Sequence, residues 1–203
     1  MKIICVGRNY ADHAKEMASE VPTEPVLFLK PDTALLRENK PFFYPEFSTE
    51  IHFECELVYR VSKPGKYIAP EHCLRHIDAV GLGIDFTARD LQRRAKEKGL
   101  PWEVAKAFND SAPVSQLLPL TDFPPEQVQR FRLEVNGERR QQATTDQMIF
   151  GLPQLVAYAS KFFTLKTGDL LFTGTPEGVG PVQRGDRLQA WLEDRLLLDF
   201  EVK

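Results

Sequence analysis

Ile51-His52-Phe53-Glu54-Cys55-Glu56-Leu57-Val58-Tyr59-Arg60-Val61 is the stretch from which the fold is read. His52, Glu54 and Glu56 alternate with Phe53, Cys55 and Leu57, and a period of two is a strand signal. Residues two apart on a strand share a face, so Glu54 and Glu56 stand side by side, with His52 beside them. Upstream, Pro22, Pro25, Pro31, Pro41 and Pro45 exclude long helices and favour extended segments such as Val26-Leu27-Phe28-Leu29. Residues 2–6 are a short β-branched run stopped by Gly7, a second strand. Residues 79–84 form a glycine-containing apolar run ended by Asp85, a buried strand. Residues 131–135 followed by Asn136-Gly137 predict a hairpin, and residues 188–192 and 196–202 flank the polar turn Glu193-Asp194-Arg195. The helices are short. They cover residues 9–17, a turn after Pro70, and a segment opened by a Thr87-Ala88-Arg89-Asp90 capping box that stops at Gly99 and Pro101. Residues 153–163 add an amphipathic helix. Strands dominate and do not alternate with helices. The expectation is an α+β, mostly β architecture in one domain, residues 1–203, and not a doubly wound parallel sheet.

Composition narrows the function classes. The 203 residues are 42% hydrophobic and 27% charged, in the range of globular chains and outside that of disordered ones. Twenty-six basic against twenty-nine acidic residues leave a charge of -3, which gives no broad basic face for nucleic acid. Cys5, Cys55 and Cys73 are odd in number and lack CxxC spacing, which fits a reducing compartment rather than a disulfide framework. No apolar run approaches the ~18 residues that span a bilayer, and the opening run is too short for a signal peptide. A cytoplasmic protein with no membrane partner is expected.

The chemistry starts from the carboxylates. Glu54 and Glu56 form either a solvated strand face or a site in which a cation resolves their repulsion; all-oxygen sites suit Mg²⁺ or Mn²⁺. Asp85, where a strand gives way to a helix, is a third carboxylate or a helix N-cap. Lys106 lies among apolar neighbours, as a counter-charge, a carboxylate binder or a surface lysine. His13 and Glu16 are three apart on a helix, as a surface pair or as a histidine oriented to activate water. The glycine-rich run from Thr173 to Gly180 lacks the lysine of a P-loop, yet its N–H groups can hold a carboxylate. A two-histidine, one-carboxylate reading of His52, Glu54 and His72 or His76 leaves Glu56 and Asp85 without a role.

Several motifs together resemble the fumarylacetoacetate hydrolase family. They are Val6 through His13, Pro25 through Pro31, His52 through Leu57, Gly83 through Gln92, Pro101-Trp102 through Phe108, and Thr173 through Gly180, in the family's order. The resemblance is to the short acylpyruvase and oxaloacetate-processing branch. It implies a mixed β-sandwich roll with short peripheral helices, a homodimer, and Mg²⁺ or Mn²⁺ held by Glu54, Glu56 and Asp85. His13 and Glu16 would activate water, with Lys106 beside the metal. Arg8, Lys30, Arg89, Gln92 and Thr175 would contact the substrate, a small 2-oxo acid. Cys55 in place of an aliphatic residue and Asn109 in place of an aspartate are small departures. The implied reaction is Mg²⁺-dependent cleavage of the C3–C4 bond of 3-acylpyruvates. The alternatives are oxaloacetate decarboxylation or tautomerisation, and isomerisation of a 5-carboxymethyl-2-hydroxymuconate type of substrate.

Overall fold

The structure is a computed structural model that describes residues 1–16 and 20–203. At its centre Cys55–Val61 pairs antiparallel with Ile77–Ile84 on one side and with Leu170–Phe172 on the other. Lys2–Val6 adds to Leu170–Phe172 in parallel, Leu27–Pro31 pairs antiparallel with Lys2–Val6, and Leu118–Pro119 closes the opposite edge. A second, four-stranded sheet runs Glu138–Thr144, Arg130–Val135, Arg187–Leu192, Arg195–Glu201 in spatial order, antiparallel throughout. Leu57, Tyr59, Leu82 and Ile84 of the first sheet meet Leu133, Leu188, Ala190 and Leu198 of the second in one apolar core. The fold is thus mostly β, two packed sheets with short helices at the periphery.

The central sheet is buried on both faces, and this is what places the site. Val58, opposite in direction to Leu57 and Tyr59, packs with Ile3, Cys5, Ala112 and Phe172 in a second core. Only Arg60 of Cys55–Val61 is exposed. A polar residue on this strand therefore does not gain water by alternating; Glu56 points into protein.

Three expectations need correction. The strand read over 51–61 is two strands that part at Glu54: Ile51–Phe53 belongs to a three-stranded sheet with Gly180–Pro181 and Thr87–Ala88. The break carries His52 away from the two glutamates, and its Nε2 lies 3.1 Å from Glu50 Oε1. The capping box at Thr87 does not form. The helix is Arg89–Lys98 with Ala88 at its N-cap, and Asp90 instead accepts hydrogen bonds from Ser48 Oγ and Thr49 N at 2.7 and 3.0 Å. Asp85 caps no helix. Elsewhere the reading holds within a residue or two. Asn136 and Gly137 have φ of 54° and 79°, the left-handed pair that a two-residue hairpin turn requires. Pro153 sits in the first turn of Leu152–Phe162. The first helix is Ala11–Glu16; Met17, its expected end, lies outside the described residues. The turn after Pro70 is the 3-10 helix Pro70–Arg75. Among the described residues no helix is long and apolar enough to cross a membrane.

Candidate active site

The strand register brings three carboxylates together. Cys55 pairs with Ile84 and Glu56 with Gly83, so Asp85, one residue on, falls beside Glu54, whose carbonyl accepts the Asp85 N–H at 2.8 Å. Gly83 is there for space: a Cβ would sit 2.6 Å from the Phe172 ring. Oxygens of Glu54, Glu56 and Asp85 lie within 4.8 Å of one another, and the residues are 5%, 1% and 1% exposed. Among the described residues no histidine joins the group, and His76 Nδ1 lies instead 2.9 Å from Lys63 O. The two-histidine reading fails because the break at Glu54 turns His52 aside.

Buried cations ring the carboxylates. Lys106 Nζ donates to Glu54 Oε2 at 2.8 Å and to Asp85 Oδ2 at 2.7 Å. Arg89 donates to Glu54 Oε1 at 2.6 Å and to Gln92 Oε1 at 2.7 Å. Lys30 Nζ lies 2.7 Å from Asp85 Oδ1. The same ammonium also faces Ser111 Oγ, Ser111 O and Phe86 O at 2.9, 3.0 and 3.4 Å, so Asp85 Oδ1 shares it with three other acceptors. Burial pushes the Glu54 carboxyl up, but Lys106 and Arg89, with a smaller contribution from His13, outweigh it and hold the group well below the usual carboxylate range. Glu56 goes the other way. Burial first, then Asp85 and Glu54, push it well above that range, with Gly174 N–H (2.6 Å) as partial relief. Burial works against the Lys106 charge, and the paired Asp85 and Glu54 reverse the effect and raise its pKa.

An all-oxygen donor set, an Asp85 oxygen that shares the Lys30 ammonium with other acceptors and a glutamate crowded by two other carboxylates together fit a hard divalent cation.

His13 is 4% exposed, with Nδ1 3.1 Å from Glu16 Oε2. Glu16 also accepts the Gly178 N–H at 3.1 Å, which ties the first helix to the glycine-rich loop. That loop depends on two left-handed glycines. A Cβ on Gly174 (φ 94°) would meet Asn9 Cβ at 2.7 Å, and one on Gly178 (φ 91°) would meet Arg140 O at 2.1 Å. Thr175 is buried, but its hydroxyl is already committed: it donates to Cys55 O and accepts from Gln141 Nε2, both at 2.8 Å. Arg8 is half-buried and makes no side-chain hydrogen bond among the described residues.

Sequence reasoning missed two supports. Gln141 is 1% exposed and joins Cys55 N, Thr175 Oγ1 and Pro176 O at 2.8–2.9 Å. A glutamine at an inward register position of a polar strand was the available signal. Asn9 clamps the loop to the chain near Phe150, donating to Thr173 O and Phe150 O and accepting from Phe150 N.

Comparison with known proteins adds the family. The family model described as fumarylacetoacetate (FAA) hydrolase C-terminal matches residues 2–202. Oxaloacetate tautomerase YcgM of Escherichia coli is 48% identical over 188 residues, 92% of this chain and 86% of that protein. Mitochondrial oxaloacetate tautomerase FAHD1 of Mus musculus is 45% identical over 201 residues, 99% of this chain and 91% of that protein. The crystal structure of fumarylpyruvate hydrolase from Pseudomonas aeruginosa, in complex with Mn²⁺ and pyruvate, superposes with a TM-score of 0.95 at 40% identity, covering 100% of this chain and 89% of that one. Sequence, fold and the order of the motifs agree: the chain belongs to the fumarylacetoacetate hydrolase family, and its relatives include oxaloacetate tautomerases and a fumarylpyruvate hydrolase seen with Mn²⁺ and pyruvate.

Proposed function

We propose that this chain is an oxaloacetate keto–enol tautomerase that uses Mg²⁺ or Mn²⁺, with one catalytic domain over residues 1–203. The observation that carries the reading is the buried carboxylate trio ringed by Lys30, Lys106 and Arg89, together with a buried His13 paired with Glu16. The choice among reactions rests on the two tautomerases at 48% and 45% identity. It reverses the order expected from the motifs alone, which placed acylpyruvate cleavage first.

Glu54, Glu56 and Asp85 would hold the cation. When bound, it supplies Lewis acidity at a 2-oxo carbonyl and stabilises charge as the C2–C3 enolate develops. The rest falls to side chains. A carboxylate 3.1 Å from His13 Nδ1 favours the tautomer with hydrogen on Nδ1, leaving the Nε2 lone pair to take a proton from C3 or return one. The Gly178 N–H fixes Glu16, and Glu16 fixes the ring. Lys106 holds Glu54 and Asp85 in place and, like Lys30, offers positive charge to a substrate carboxylate. Arg89 and Gln92 buttress Glu54 from the helix side. Thr175 acts by position, since its hydroxyl is occupied; its contribution to a substrate is its backbone N–H.

Acylpyruvate hydrolysis is the second reading, favoured by the fumarylpyruvate hydrolase structure at a TM-score of 0.95. There the same Nε2 would take a proton from water attacking C4. Purified protein with Mn²⁺ should ketonise oxaloacetate enol faster than it releases pyruvate from acetylpyruvate or fumarylpyruvate. The reverse ranking would make it a hydrolase. His13→Ala should lower the faster activity by about 10²–10⁴-fold. A homodimer belongs to the same reading, supported by the exposed apolar side chains Phe43, Phe47 and Val104 and measurable by light scattering.

A further inference from the structure

We propose that the cavity walled by Phe28, Leu100 and Trp102 takes an aryl substituent, and that the site also interconverts the keto and enol forms of 3-aryl-2-oxo acids. The inference extends the proposed function and rests on it for the 2-oxo acid end of the substrate.

The wall residues sit on the segments that carry the site lysines. Phe28 and Lys30 are two apart on Leu27–Pro31 and share a face, and Lys30 Nζ lies 2.7 Å from Asp85 Oδ1. Trp102 stands at the N-cap of Glu103–Lys106, where its carbonyl accepts the Lys106 N–H at 2.9 Å. Gly99, left-handed at φ 63°, ends the helix Arg89–Lys98, and Leu100 and Pro101 bridge from it to Trp102. These segments enclose a cavity of about 400 Å³, within the range of roughly 300–1,000 Å³ usual for small-molecule sites.

Lys106 joins the cavity to the chemistry. It lines the cavity, and its ammonium donates to Glu54 Oε2 and Asp85 Oδ2 at 2.8 and 2.7 Å. The same ammonium lies 5.1 Å over the Phe28 ring, and the Phe28 and Trp102 rings are 6.3 Å apart and tilted by 58°. One side chain therefore spans from the carboxylates to the aromatic wall. A 2-oxo acid held at the carboxylates has this cavity within reach of its C3 substituent.

The lining says what that substituent is. Residues 26–29 and 100–102 are all apolar, and Leu100 is 49% exposed, a large apolar side chain left in water. Among the described lining residues the charged ones are Glu103, which is exposed, and Lys106, which already answers to Glu54 and Asp85. Neither is free to pair with a second carboxylate. Oxaloacetate has no apolar part and leaves the cavity unused. A flat ring suits it, because aromatic rings pack edge-to-face or offset against one another at centroid distances of about 4.5–7 Å.

The reaction is the one already proposed, on a different substituent. His13 Nε2 takes a proton from C3, the C–H electron pair becomes the C2=C3 bond, and the proton is returned to the C2 oxygen. Ketone and enol are isomers, so no co-reactant is consumed.

Pyruvate and phenylpyruvate share the reacting end and differ by one ring. In calorimetric titration of the Mn²⁺-loaded protein, phenylpyruvate should bind about tenfold tighter than pyruvate or better. Its enol absorbance should decay faster with the protein than without. Trp102→Ala and Leu100→Asn should each shrink the binding preference by about threefold or more, and Trp102→Phe should keep most of it. In the first two, kcat/KM should fall further for phenylpyruvate than for oxaloacetate. Leu100→Asn changes an exposed position, so it judges the cavity even where Trp102→Ala fails to fold. Equal binding of the two acids, or a preference that neither variant moves, overturns the inference. So does a fall in solution mass by light scattering in either variant, which would make the cavity an interface between copies of this chain. Tight binding of phenylpyruvate without conversion, in a protein that converts oxaloacetate, overturns the added activity. If the parent converts neither acid, the tautomerase reading fails, while the titrations still judge the cavity.

Discussion

The carboxylate group around Glu54 and the outer face of the four-stranded sheet hold ion pairs of the same length and different consequence. Lys106 lies 2.7 Å from Asp85 with both side chains under 5% exposed, and Arg187 lies 2.7 Å from Asp199 with its side chain 56% exposed. Distance does not separate them. Water does. At the surface the pair exchanges solvent contacts for each other and gains little. In the interior three carboxylates have lost their hydration, the cations only partly replace it, and removing one member strands the rest. A buried charge cluster that remains costly after its own lysines are counted is a place prepared for something else.

The largest expected effect comes from unmaking that preparation. Chelation should abolish turnover and added Mn²⁺ restore it, and Glu56→Gln should lower activity by about 10³-fold or more with weakened Mn²⁺ binding. Full activity after chelation would erase the distinction between the two regions. Next in size is Lys106→Met. Stranding Glu54 and Asp85 should cost about 3–5 kcal/mol in metal-free protein by denaturant unfolding, and Mn²⁺ should recover part of it. Equal loss with and without Mn²⁺ would mean the lysine, not a cation, is the partner these oxygens need.

A smaller effect tests an intermediate case. Asp169 is buried at the base of the central sheet and accepts from Lys2 N and Lys166 N at 3.0 and 2.7 Å, with Lys2 Nζ as its ion-pair partner. Burial pushes its carboxyl up, but these contacts outweigh it and lower the pKa. A carboxylate depressed in the folded state stabilises above its unfolded value, near ~3.9, and the gain is lost as pH falls through the lower folded value. Asp169→Asn should therefore unfold with a flatter pH dependence below about pH 4; an unchanged slope there would remove Asp169 from the account. The smallest effect is at the surface. Asp199→Asn should leave the melting temperature where it was, and a clear drop would show that exposure does not rank these pairs.

Much of the fold was legible locally. Asn136-Gly137, Pro153 and the glycine stops act through their own backbone preferences, so turns and helix ends could be placed without knowing what packs against them. The strand from Cys55 was legible through its alternation. The break at Glu54 was not, because it arises where two sheets diverge, and no residue at 53–55 marks it. The capping box at Thr87 failed for a related reason: Thr87 donates to Glu54 Oε1 at 3.2 Å and Asp90 serves the loop at Ser48, so tertiary partners took both side chains.

The residue types at the site, three carboxylates and the His13–Glu16 pair, were set by the sequence alone, since acidity and i,i+3 spacing belong to the chain. What only the tertiary structure decided is their environment. A second core on the far side of the central sheet buries Glu56, the register at Gly83 delivers Asp85 to Glu54, and Lys30, Lys106 and Arg89 arrive from three separate segments. Electrostatic energy depends on position and dielectric, and neither exists until the chain has folded.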